Sequence, residues 1–235
     1  VTLKSNGIFN FEQAFSVMGI GPQDNIFSID AAELEQRLKK CPAIRRASVK
    51  RQISSNPTLL VDIDARIPVA WIDCPELGIH PGDATYGALA DKEGVIFPCM
   101  EQVHMPYIRE KRMPSVTLRP PSSGKLSYGV SIRELEAPMK LIELLSGTVT
   151  EYLPSIVSIT TPNDWSFCVR FTNDCQATFS HYGLEHQVEK LSRALRHARQ
   201  THRKISSINL IPEHNIPVIF DNSYEDIPLA EPIEE

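Results

Sequence analysis

The stretch "NPTLLVDIDARIPVAWI", residues 56–72, decides the fold. Leu59, Val61, Ile63 and Ala65 alternate with Thr58, Leu60, Asp62 and Asp64 at the two-residue period of a half-buried strand. Arg66 and Pro68 then interrupt the pattern, and Pro68 removes a backbone donor. Yet Val69, Ala70, Trp71 and Ile72 continue in an extended, apolar style with no turn residues between. These residues leave open why two extended runs meet at a proline with no turn between them; a proline at a bulge of one edge strand is one reading.

Upstream of this stretch, helix signals come in pairs. In "FNFEQAFSVMGIG" Asn10 caps, Gln13 is its capping-box partner, and Phe11, Ala14, Phe15 and Met18 mark one face. In "NIFSIDAAELEQRLKKCP" Asp30 caps, Glu33 is the third-position acid, Ile29 and Leu34 form a hydrophobic staple, and Pro42 ends the helix. "IRRASVKRQI" then alternates as a strand, and "VTLKS" supplies an opening one. The predicted order is strand, helix, helix, strand, strand over about 70 residues, within the range of self-folding domains.

Downstream, residues 72–87 read as a long loop or an insertion between strands, and "YGALADKEGVIF" as a hairpin turning at Asp91–Gly94. The proline-rich segment from Cys99 to Tyr128 predicts loops with one short strand at "SVTL". A helix follows from Ser131, which Pro138 kinks or begins. Strands at "SIVSIT", "WSFCVRF" and "QATFS" lead into a long helix in which Leu184, Val188, Leu191, Leu195 and Ala198 line one face. "KISSINLI" and "IPVIFD" give two last strands before an acidic tail.

The chain has 235 residues, 42% hydrophobic and 23% charged, enough for one large or two modest domains. A net charge of −5 with pI near 5.8 argues against nucleic acid as a partner. No run of about 18 apolar residues is present to span a bilayer, and there is no signal-peptide pattern. The chain begins at Val1 and reads as a piece of a longer protein, leaving room for an N-terminal anchor upstream.

Catalytic and metal chemistry find no pattern. Five cysteines without a CxxC pair predict no zinc ribbon or redox site, and Cys41 and Cys168 read as small core residues. His181 with His186, and His197 with His202, are five apart, a poor helical spacing for a shared metal. Asp62 and Asp64 read as a wet strand face, and Asp91 in "DKEG" has a local turn role. The residues give no catalytic group, no metal site and no cofactor.

Taken in order, "IFSIDAAELEQRLKKCPAIRRASVKRQISSNPTLLVDIDARIPVAWI" resembles the POTRA domain of the bacterial division proteins FtsQ and DivIB. "LADKEGVIF" resembles the hairpin opening that family's second domain, and the likeness continues to "GLEHQVEKLSRAL" and "ISSINL". Two departures stand out: Ala65 where the family usually has Glu, and a longer loop from Asp73 to Thr85. The resemblance implies an α+β fold: a β-α-α-β-β POTRA domain at 1–68, a β-rich domain with an antiparallel sheet and packed helices at 69–221, and an acidic flexible tail at 222–235. Arg66, Pro68 and Trp71 would then form the interdomain hinge.

The same resemblance implies a non-enzymatic cell-division scaffold of the divisome. It would be held by one transmembrane helix in the bacterial inner membrane, with this region extracytoplasmic at the septum, and would help regulate septal peptidoglycan synthesis. Its partners would be FtsB/DivIC-like and FtsL-like coiled-coil proteins and other divisome proteins. Strand addition is the expected mechanism, because the last two strands are expected at a sheet edge. The expected partner-binding residues are Ile208, Leu210, Ile216, Val218, Ile219, Phe220 and Tyr224, with Ile219 facing opposite to Ile216, Val218 and Phe220, and Pro217 blocking pairing at one register. The tail acids Asp221, Glu225, Asp226 and Glu231 either steer a basic partner or only solubilise. Two rival readings are a POTRA module of an outer-membrane assembly or secretion protein, and a cysteine-dependent envelope enzyme using Cys74 or Cys99.

Overall fold

The computed structural model describes residues 1–21, 24–25, 27–53, 57–147 and 153–221. The N-terminal strand β1 (Thr2–Ser5) is followed by helices α1 (Phe11–Met18) and α2 (Ala31–Lys40), then strands β2 (Ile44–Gln52) and β3 (Thr58–Ala65). These form a three-stranded sheet in the order β1-β3-β2, with β1 parallel to β3 and β2 antiparallel to it. Both helix starts follow the sequence. The Asn10 carboxamide accepts from Gln13 N while the Gln13 side chain accepts from Asn10 N, and Asp30 accepts from Ala32 N. Gly19 closes α1 in the left-handed region at φ 67°, which favours glycine there. Met18, Leu38, Leu59, Val61 and Ile63 are buried between this sheet and its helices.

Pro68 opens a second sheet. Strand β4 (Pro68–Asp73) follows β3 after only two residues, but it belongs to a nine-stranded sheet. The others are β5 (Ala88–Asp91), β6 (Ile96–Pro98), β7 (Ser115–Thr117), β8 (Ile156–Thr160), β9 (Ser166–Phe171), β10 (Gln176–Ser180), β11 (Ile205–Asn209) and β12 (Val218–Phe220). Their order is β12-β11-β10-β9-β8-β7-β4-β5-β6. The sheet is mixed, where the resemblance implied an antiparallel one. β4 runs parallel to β7, β7 to β8, and β10 to β11, because helices carry the chain between parallel neighbours.

Three helices complete the fold: α3 (Glu101–Arg109), α4 (Arg133–Gly147) and α5 (Leu184–Gln200). One face of the large sheet packs on α4 and α5 through Ile72, Ile96, Phe167, Val169, Phe171 and Phe179. On the opposite face, near β4, β5 and β6, Trp71, Leu89 and Phe97 join the core of the first sheet together with Val103 and Ile108 of α3. Strand alternation thus sends Trp71 and Ile72 into different cores. Gly87 is required beside this contact, since a Cβ there would stand 2.1 Å from Asp83 O and 2.9 Å from the Trp71 ring.

Helix α3 occupies a segment expected to be loop. Pro106 sits inside it, and the carbonyl four residues back, on Gln102, loses its helical donor. The Gln13 side chain donates to that oxygen at 2.6 Å, so α1 repairs the gap. Pro138 likewise lies inside α4, at its sixth residue, and neither begins it nor ends it. Cys41 and Cys168, expected in the core, are half-buried, whereas Cys74, Cys99 and Cys175 are buried, and all five are free thiols.

Candidate functional site

Two features matter chemically: the network around Arg66 between the two sheets, and the edge at β12. At the joint, Arg66 N donates to Ala43 O at 2.8 Å and its Nε to Pro42 O at 3.1 Å. Its Nη1 meets Asp91 Oδ2 at 2.6 Å, with side chains only 12% and 6% exposed. Asp91 also accepts from Glu93 N and Val95 N through Oδ1, so it builds the β5–β6 turn while pairing with the arginine. Arg45 of β2 extends the network to Glu93 at 2.9 Å and to Asp64 at 3.5 Å. Pro68 is the first residue of β4, a position where the missing N–H costs least. Trp71 is buried behind it, and its N donates to Pro114 O at 2.8 Å.

At the other end, β12 is an edge strand among the described residues, where it pairs only with β11. Pro217 O accepts from Asn209 N, and Asp221 N donates to Lys204 O. Backbone alternation therefore turns 217, 219 and 221 toward β11 and leaves the N–H and C=O of Val218 and Phe220 facing outward. Among the described residues, no side chain bonds these outward groups. By contrast, the outer edge of β2 is partly covered, because Glu35 of α2 accepts from Val49 N at 3.0 Å. Lys39 and that backbone bond hold the Glu35 carboxyl below the usual carboxylate range.

Side chains on β12 alternate. Val218 and Phe220, with Ile216 before them, are half-buried against the large core, while Ile219 is 63% exposed on the other face. The Arg203 guanidinium lies 3.6 Å from the Phe220 ring centroid, and Lys190 Nζ donates to Pro212 O, so both ends of the β11–β12 hairpin are tied down.

Three expectations about this edge change. Ile208 and Leu210 are 2% and 0% exposed inside the large core, so their side chains face α5 and not a partner. β11 lies between β10 and β12, because the α5 crossover inserts it parallel to β10. Pro217 directs its backbone to β11, so its missing donor does not guard the outer edge. Tyr224 and the rest of residues 222–235 lie outside the described residues.

The thiols are poorly suited to nucleophilic chemistry. Burial pushes the Cys99 and Cys175 thiols up to about 11 and raises those of Cys41, Cys74 and Cys168 as well. Among the described residues, no group of three His, Cys, Asp or Glu side chains could hold a metal ion. No helix of the described residues is long and apolar enough to cross a membrane.

His104 on α3 was not singled out by the sequence. It is completely buried, accepts from Met100 N at 2.9 Å through Nδ1, and packs on Phe97 at 5.4 Å. Burial lowers its pKa to about 4. In the unfolded chain a histidine takes its proton near 6.5, so between pH 6.5 and 4 the unfolded state binds a proton that the folded state refuses. Stability present above pH 6.5 is lost as the pH falls, by up to about 3 kcal/mol. A His104→Asn variant, which keeps an acceptor for Met100 N, should show a shallower loss between pH 7 and 4.5 in urea denaturation. Equal losses in the two proteins would contradict this account.

Residues 2–64 match the family described as POTRA domain, FtsQ-type. The N-terminal module is similar to an FtsQ-type POTRA domain. The match starts at the first residue of β1 and stops one residue before the end of β3, just short of Arg66. It supports the resemblance to the extracytoplasmic region of FtsQ and DivIB, and a β-rich α+β region follows the POTRA domain. No curated protein matches the chain.

Proposed function

We propose that this chain is a non-enzymatic scaffold of the bacterial divisome, with its POTRA domain ending at Pro68 and a β domain running to about Asp221. It stands on the extracytoplasmic side of the inner membrane at the septum, below a transmembrane anchor. It takes up a strand from an FtsB/DivIC-like partner, with an FtsL-like protein in the same complex, and so helps regulate septal peptidoglycan synthesis. The observation that carries this reading is the open edge of β12, where Val218 and Phe220 offer unpaired backbone groups beside exposed Ile219. The FtsQ type of the POTRA match favours this over an outer-membrane assembly protein, and the raised thiol pKa values count against a cysteine enzyme. Arg66, Pro68 and Trp71 set the angle between the two domains in this reading.

Val218→Pro tests it directly. The substitution removes a donor that faces away from β11, and proline is tolerated where an edge N–H faces solvent. Titrated with the extracytoplasmic segment of the FtsB-like protein, this variant should bind at least about tenfold more weakly than the parent chain, with its amide spectrum showing the same folded core. Equal affinities would overturn strand addition at β12.

A further inference from the structure

A concave surface, a cleft of about 520 Å³, opens where the first turns of α4, the β8–β9 turn and the β10–α5 corner come together. This volume lies within the usual range for small-molecule sites. Arg133, Glu134, Glu136 and Lys140 line it from α4, Asp164 from the turn, and His181 and Tyr182 from the corner.

One large aromatic ring, Tyr182, lines this cleft, and a second, Trp165, adjoins the lining residue Asp164 in the chain and pairs by backbone with the lining residue His181. Tyr182 is 78% exposed and Trp165 60% exposed. By alternation Trp165 shares the face of Phe167 toward α4 and α5, and its carbonyl accepts from His181 N. Such exposure of both rings is unusual, since tryptophan is mostly buried.

Neither ring sits on a loose loop. The Asn163 carboxamide oxygen accepts from Trp165 N, Ser166 N and Ser166 Oγ, and Arg119 pairs with Asp164. On the other side, buried Gln187 accepts from Ser180 N and donates to Ser180 Oγ and Tyr182 O, which fixes the corner. The His181 ring packs on Phe167 at 5.5 Å, and its Nε2 has no hydrogen-bond partner among the described residues.

Charge narrows the ligand class. Lys140 is neutralised by Glu185 at 2.6 Å and Asp164 by Arg119, whereas Arg133, Glu134 and Glu136 form no ion pair among the described residues. An anionic ligand would meet the carboxylates, and a cationic one Arg133 and Lys140. A neutral ligand rich in hydroxyls meets neither penalty, because each hydroxyl donates to a carboxylate or accepts from a guanidinium. The apolar C–H face of a pyranose ring also covers an exposed indole or phenol, as a charged chain does not.

We infer that this cleft is an oligosaccharide-binding site, with Trp165 and Tyr182 as stacking platforms and Arg133, Glu134 and Glu136 as hydroxyl partners. The inference does not depend on what binds β12. In the test, chitotetraose is titrated into the ¹⁵N-labelled chain, with cellotetraose and trialanine in parallel. Either tetrasaccharide should produce saturable amide shifts confined to residues 133–140, 164–166 and 181–184. Trp165→Ala and Tyr182→Ala, both at exposed positions, should each weaken binding by about tenfold or more while the remaining spectrum is preserved. No shifts from either sugar at ~10 mM, shifts that both variants leave unchanged, or shifts from trialanine alone would each overturn the assignment.

Discussion

Replacing Arg66 with alanine should destabilise the chain by about 3–5 kcal/mol, because it leaves Asp91 buried without its cation. The arginine also donates to Pro42 O, so the substitution frees a carbonyl at the end of α2. Urea denaturation would measure the loss. A matched change on the same sheet, Arg46→Ala, removes an ion pair whose arginine is 73% exposed, and should cost no more than about 1 kcal/mol. Similar losses for the two variants would show that the joint is held by apolar contacts around Trp71 instead.

Phe179→Ala should cost a similar amount, about 3–5 kcal/mol. Phe179 is fully buried on β10 and stacks on Phe167 of β9 at 5.6 Å, with the rings within 9° of parallel. Removing the ring opens a cavity under α4 and α5, in the strand to which β11 and then β12 are attached. Ile219→Ala, by contrast, should alter stability by less than about 0.5 kcal/mol, since that side chain rests mostly in water. A large loss for Ile219→Ala would mean that its side chain is packed on the face of the sheet away from the core, contrary to its exposure.

Local chemistry was legible in the sequence. Asn10, Gln13 and Asp30 cap as their spacing predicts, and the alternation in β3 assigns Leu59, Val61 and Ile63 to the core. Asp91 has the turn role that "DKEG" implied, and its pairing with Arg66 was beyond reach because those residues are 25 apart in the chain. Helix α3 was hidden because Met100 gives it no side-chain cap and Pro106 breaks its pattern; the repair comes from Gln13, far away in sequence.

Strand order was the least legible feature. Nothing in "KISSINLI" signals that it pairs parallel with β10, since that pairing is set by the α5 crossover, and so a strand that lies inside the sheet, with Ile208 and Leu210 in the core, was expected at its edge. The exposure of Ile219 could be read, because alternation next to half-buried Val218 and Phe220 requires it. The Trp165–Tyr182 cleft could not, for its lining comes from three segments that only the fold brings together.

Strand addition at β12 makes a residue-level claim that amide hydrogen exchange addresses most directly. The chain would be compared alone and saturated with the extracytoplasmic segment of the FtsB-like protein. The amides of Val218 and Phe220, which face outward, should exchange freely in the first state and become protected in the second, while Ile219, already turned toward β11, changes little. Unchanged exchange at Val218 and Phe220 in the saturated complex would contradict the account, and would place the partner elsewhere on the protein.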